Sequence, residues 1–167
     1  MLFLLFFHLI TCLTMTIRQY VKIPIFCIFF ALSLTGCEQE PSSLLYQQAS
    51  NYDYEDTLIN LDIAISEHNY RIIHRSKIGQ AVRDRGKKDF PLSIVISFCN
   101  ISYAKEMMEI NSDLINDMPC IITVREEKEG VIVGTKLMAE NTRNQRQNDF
   151  AIRINNNLKS IITATID

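Results

Sequence analysis

Apolar and polar positions along the chain repeat with two periods, and each period predicts an element. Leu92, Ile94, Ile96 and Phe98 alternate with Ser93, Val95, Ser97 and Cys99, the two-residue repeat of a β-strand. Both sets are at least partly apolar, which predicts a strand at a central position in a sheet. Tyr54, Leu58, Leu61 and Ile65 recur at helical spacing after Asp53. Asp53 suits an N-cap, and Glu55 and Asp56 suit the positive end of the helix dipole. Asn69 is a natural left-handed stop.

Weaker patterns fill the remainder. Leu44–Ser50 and Tyr70–Arg75 read as strands, and Gly79–Arg85 as a short helical turn ended by Gly86-Lys87-Lys88. Asn100 or Ser102 caps a helix through Met108, with Tyr103, Met107 and Ile110 as its apolar stripe. Pro119 opens a strand from Cys120 to Glu126. Glu127–Gly130 is a hairpin turn with Gly130 at positive φ, and Val131–Met138 returns. Phe150, Ile154, Leu158 and Ile161 predict a terminal amphipathic helix. Strands and helices are intermixed and one hairpin is present. This order predicts an α+β class: a single compact domain over residues 44–167, with a mixed sheet of about five strands packed against helices.

The amino-terminal stretch obeys neither period. Up to Cys37 the only charges are Arg18 and Lys22, and no acid occurs before Glu38. Thr16–Lys22 followed by the apolar Ile23–Leu34 has the layout of a secretory leader. Its apolar core is too short for a membrane-spanning helix, which takes about 20 residues. Leu34-Thr35-Gly36-Cys37 resembles the lipobox of bacterial lipoproteins. That resemblance implies a lipid on the Cys37 thiol, cleavage of residues 1–36 before it, and a tether over 37–43. Glu38, rather than Asp, after the cysteine implies the periplasmic face of the outer membrane ahead of the inner membrane. The rival is an uncleaved signal anchor. Met1–Thr14 is a second apolar run ahead of the basic stretch, so Met15 reads as the true start; the rival is a two-span hairpin, for which both runs are short.

Once the 36 leader residues are set aside, 131 of the 167 remain. They carry 15 basic and 19 acidic groups, since Arg18 and Lys22 go with the leader. That balance gives no basic field for nucleic acid. Cys99 and Cys120 are then the cysteines of the domain. They are a candidate disulfide in an oxidising compartment or inert core thiols; neither sits in a CxxC, which disfavours a redox or metal role. Met107 and Met108 read as core filling or as a soft-metal or apolar-ligand site. Glu126, Glu127 and Glu129 are turn acids, solvated unless they hold a cation. His68 and His74 straddle a helix-to-strand boundary, a spacing without metal-ligand logic. Arg71, Arg75, Lys77, Arg83, Arg85, Lys87 and Lys88 are a solvated edge, or else face anionic lipid headgroups or bind an anion. No nucleotide, hydrolase or metalloprotease motif is present.

From Ser43 onward the layout resembles the bacterial and archaeal domain of unknown function, family 302. The matching pieces are the helix Tyr54–His68 with Asn69-Tyr70-Arg71-Ile72, the strand ending Ser97-Phe98-Cys99-Asn100, Asp117-Met118-Pro119-Cys120-Ile121, and Glu129-Gly130-Val131. Cys99 stands where the family has Gly and Ile101 where it has Pro. The Asp-His pair usual after the second strand has no match around Ser76–Gln80. The resemblance implies a small α+β domain, often dimeric, with no catalytic residues to carry over. The expectation is a non-enzymatic binding or interaction domain, without metal or cofactor, tethered to a membrane through lipid on Cys37. Cys99 and Asn100, at a strand's carboxyl end, are the candidate ligand pocket. The alternatives are a thiol-dependent envelope enzyme using Cys99 and a structural subunit of an envelope complex.

Overall fold

The computed structural model describes residues 44–167. The leader, Met15, Cys37 and the tether to Ser43 lie outside the described residues. Five strands are present: β1 Leu45–Ser50, β2 Arg71–Ser76, β3 Ser93–Cys99, β4 Cys120–Glu127 and β5 Gly130–Lys136. Four α-helices accompany them: α1 Tyr54–Glu67, α2 Ile78–Asp84, α3 Ile101–Ile110 and α4 Gln145–Ile166. A 3-10 helix, Ser112–Asp117, follows α3; no periodicity in the chain predicts it.

The strands form one sheet in the order β1-β5-β4-β3-β2, and every pairing is antiparallel. The α+β class and the five strands match the sequence reading, while the sheet expected to be mixed is antiparallel throughout. The connections explain this. The helices between β2 and β3, and between β3 and β4, leave and rejoin the sheet at the same end, so the strands they join run in opposite directions. A parallel neighbour needs a crossover from one end to the other. β3 is flanked on both sides, but the middle place belongs to β4.

Register builds the core. Ile94, Ile96 and Phe98 lie opposite Val124, Ile122 and Cys120. Val124 and Ile122 in turn lie opposite Val133 and Thr135. Paired residues share a face, so these side chains make one apolar surface. Leu61 and Ile65 of α1 and Leu158, Ile161 and Ile162 of α4 complete it, all at 2 % exposure or less. Each such burial contributes ~1.5–3 kcal/mol. The alternate positions Val95, Ser97, Thr123 and Ile132 are only half-buried.

Local signals act as the sequence suggests. The Asp53 carboxylate accepts the Asp56 N–H at 2.9 Å, Asn69 adopts φ 62°, and Gly130 turns the β4–β5 hairpin at φ 134°. Gly79 matters for a different reason. A Cβ there would overlap the backbone of Pro91, Leu92 and Ser93, so only glycine lets α2 lie against the start of β3.

Candidate ligand cavity at one end of the sheet

β3 finishes, β4 begins and β5 finishes at the same end of the sheet. The connection from β3 to β4, made of α3 and the 3-10 helix, stands over that end. The segment after β5 and the face of α4 stand opposite. Between them is a cavity of about 250 Å³. Its floor and walls are apolar, with Met107, Phe150, Ile154 and Leu158 among them, and Asn116, Asp117 and Lys136 line it as well. The last three are exposed, so polarity is concentrated at the rim. Tyr70 closes one side. Its ring meets Phe98 edge-on at 5.3 Å, and its hydroxyl accepts an N–H from Asn157 at 3.3 Å. Burial pushes the Tyr70 hydroxyl up to about 12.

Cys99 and Asn100 both line this cavity. Asn100 is engaged in holding the fold. Its Oδ1 accepts the N–H groups of Ser102 and Tyr103 at 2.9 and 3.2 Å, capping α3, and its Nδ2 donates to the Asn69 carbonyl at 2.8 Å. It therefore positions the α3 wall, and its oxygen already accepts the two bonds its lone pairs allow.

Cys99 and Cys120 are free thiols, not a disulfide. Cys120 lies opposite Phe98 in the register and packs against the core on that face; Cys99, one residue further on, takes the alternate side of the strand. Burial pushes the Cys99 thiol up, and pushes Cys120 up to about 11. A nucleophilic cysteine needs the opposite shift, supplied by a nearby cation or a helix amino terminus. Burial outweighs both at Cys99, although Arg71 lies opposite it in the register and α3 starts two residues further on.

The other candidate residues are drawn apart. Glu126 accepts the Leu92 N–H at 2.6 Å and the Arg83 guanidinium at 3.3 Å, closing the opposite end of the sheet. Glu127 is taken by Arg125. The His68 ring meets the Ala64 carbonyl at 2.8 Å at the end of α1, whereas His74 sits exposed in β2. Among the described residues no three His, Cys, Asp or Glu side chains come together as a metal group. The basic cluster is dispersed too. Arg75 forms a two-pronged pair with Asp62, Arg83 serves Glu126, and Arg71 lies at the cavity end while Lys87 and Lys88 lie in the loop before β3.

Two residues that periodicity and motifs do not single out organise the cavity wall. Asn155, 1 % exposed, accepts the Met138 N–H at 2.8 Å and donates to the Met138 carbonyl at 2.9 Å. Asn148 grips Thr142 in the same way. These side chains replace a strand partner for the chain beyond β5 and hold Met138 against the cavity. The signal that could find them is position: Asn148, Ala151, Asn155, Leu158 and Ile162 form one stripe of α4, so both asparagines lie on its buried face.

The architecture defines a class: a five-stranded antiparallel α+β domain with an apolar cavity at one end of its sheet. The chain belongs to the family described as Domain of unknown function DUF302, which matches residues 46–165. Its structure is similar to the crystal structure of the uncharacterized conserved protein DUF302 from Bacillus stearothermophilus. The TM-score is 0.66 at 13 % identity, over 74 % of this chain and 99 % of that one. At that identity the likeness speaks for the fold alone. No curated protein matches the chain.

Proposed function

We propose that this is a lipid-anchored binding protein of the bacterial cell envelope, whose domain takes a small compact ligand into the cavity at the sheet end. The cavity carries the reading: apolar inside, polar at the rim, and walled by side chains held in place by Asn100 and Asn155. Its volume fits one small ring system, since an apolar cavity of ~150 Å³ already accepts benzene. Burial raises both thiols of the cavity rather than lowering them, which favours binding over nucleophilic catalysis.

The described chain starts at the cavity end of the sheet. β1 begins opposite Lys136, the last residue of β5, and the Leu137 N–H donates to the Leu44 carbonyl at 2.6 Å. A tether from a lipidated Cys37 to Ser43 reaches ~25 Å at most when extended.

Two measurements on full-length protein test this. Cys37→Ser should abolish acylation and release the protein from the membrane fraction. A mutant that stays in membranes with its leader intact would replace the lipid anchor with a signal anchor. Indole, as a space-filling probe, should raise the thermal midpoint of the parent through binding to the native state and leave Ala104→Leu, which fills the cavity, unmoved. Equal shifts in both proteins would refute the cavity as a binding site.

A further inference from the structure

Residues 44–167 contain six sulfur-bearing side chains, and five of them line the same cavity: Cys99, Cys120, Met107, Met118 and Met138. The sixth, Met108, is exposed on the other side of α3. These five come from four separate places in the fold: the end of β3, α3, the start of β4 with the residue before its proline, and the segment after β5. Filling a core with methionine is common. Gathering sulfur from four places into one hollow while the rest of the core uses aliphatic and aromatic side chains is a different pattern.

From this convergence we propose that the cavity is a soft-metal site that holds a single Cu(I) ion through the Cys120 thiolate and the thioethers of Met107, Met118 and Met138. The inference rests on the reading of the cavity as a binding site and gives its ligand a chemical class. Thiolate and thioether donors select Cu(I) over harder ions. Met107 is 5 % exposed, and Cys120, Met118 and Met138 pack against the core, so the donors stand in apolar surroundings. Charge fits those surroundings. One Cu(I) enters, one thiol proton leaves to solvent, and a thiolate with three neutral thioethers gives an uncharged complex that costs little to bury. Methionine's three rotatable bonds let the sulfurs on the cavity wall turn inward toward a common centre. Cys99 lines the cavity too, but it follows Phe98, the residue opposite Cys120, and so leaves β3 on the other face; it is left outside the ligand set. Asn155 enters as a positioning residue, because it fixes the backbone of Met138.

The test is titration of full-length reduced protein, in detergent and without oxygen, with Cu(I) against a competing chelator; Ag(I) serves as a redox-inert probe. We expect one tightly held equivalent attributable to the cavity, and an X-ray absorption edge showing a sulfur shell. Cys120→Ser should weaken binding at least ~100-fold, and Met107→Leu, Met118→Leu and Met138→Leu roughly tenfold each, whereas Cys99→Ser should change it less than about threefold. The Met→Leu swaps conserve volume and should keep the thermal midpoint, which separates lost ligation from lost folding. Metal retained unchanged by Cys120→Ser would show that this thiolate does not hold it and overturn the proposal. A parent protein that surrenders metal to the chelator while indole still stabilises it overturns the metal assignment and leaves the cavity reading standing. Loss of both responses overturns both.

Discussion

At the hairpin end of the sheet, space is closed by backbone and charge. Gly79 lets α2 lie directly on the Pro91–Ser93 backbone, and Glu126 clips the Leu92 N–H and Arg83 together. At the other end the strands stop short of their covering helices, and the gap is bounded by methionine, cysteine and aromatic side chains. Both ends belong to the same five strands and the same core, so the difference lies in the connections. The hairpin needs two residues between β4 and β5, Lys128 and Glu129, whereas β3 and β4 are joined by a helix and a 3-10 turn. The β2–β3 connection at the hairpin end is long as well, but Gly79 lets its helix lie on backbone; the β3–β4 connection lies on side chains instead, and the volume it leaves is where a ligand can go. One end is built for closure and the other for occupancy.

The largest expected effect tests what the two ends share. Ile96 is wholly buried in β3 between them. Ile96→Asp places a carboxylate where no partner exists, at a cost of several kcal/mol, against a total stability of ~5–15 kcal/mol. Insoluble or degraded protein is the expected outcome; a parent-like thermal midpoint would mean that β3 is not the common core of both ends.

Next come substitutions that add carbon. Gly79→Ala drives a methyl group into backbone that cannot rotate away and should cost about 3 kcal/mol. Ala104→Leu adds more carbon at the cavity end and should change stability by less than ~1 kcal/mol, because the cavity receives it. Chemical denaturation of the two variants compares them directly. If both are equally destabilising, the two ends are packed alike and the contrast fails.

Asn155→Ala removes the partner of both the Met138 N–H and its carbonyl, which should cost about 2 kcal/mol. The contrast with Asn100 shows what the sequence discloses. Asn100, Asp53, Asn69 and Gly130 act within a few residues of themselves, so capping and turn rules suffice to find them. Asn155 acts on a segment 17 residues away and reads as one more polar position in an Asn-rich helix. The cavity is still less legible. Cys99 and Asn100 stand out by their place at a strand end, but Met107, Met118, Cys120 and Met138 meet only because α3 and the 3-10 helix return the chain to the end of the sheet it left. The antiparallel order is hidden for the same reason, since periodicity marks strands but not their neighbours.

The ends should also separate in alkali. Cys120 and Tyr70 are at the cavity end, and burial raises both, to about 11 and about 12 from ordinary values of 9.0 and 10.0. In each the neutral form is the one the fold prefers. The stabilisation is fully present below the ordinary value and is lost as pH rises through the folded one. Stability should hold to about pH 9 and then fall. Cys120→Ala should flatten the first part of that fall and leave the part due to Tyr70, and to Tyr54, which burial also raises. Denaturation midpoints measured from about pH 8 upward would show it. An unchanged curve in Cys120→Ala would mean that the thiol is wetter than the packing at this end implies.

The smallest effect belongs to the hairpin itself. Glu127 pairs with Arg125 at 2.7 Å, but its side chain is 48 % exposed, and pairs so open to water contribute little. Glu127 lies opposite Gly130 in the β4–β5 ladder, a pairing made by backbone that a change of side chain leaves in place. Glu127→Lys sets a cation beside Arg125 and Lys128, a repulsion that solvent and salt screen within about 10 Å at 0.1 M. A change of roughly 0.5 kcal/mol or less is expected, shrinking further as salt is added. Glu126, one residue earlier, makes the useful comparison: Glu126→Ala uncovers the half-buried Leu92 N–H and should cost clearly more at any salt concentration. If Glu127→Lys proved the more damaging of the two, closure of the hairpin end would rest on surface charge, and the clip through Glu126 would lose its part in it.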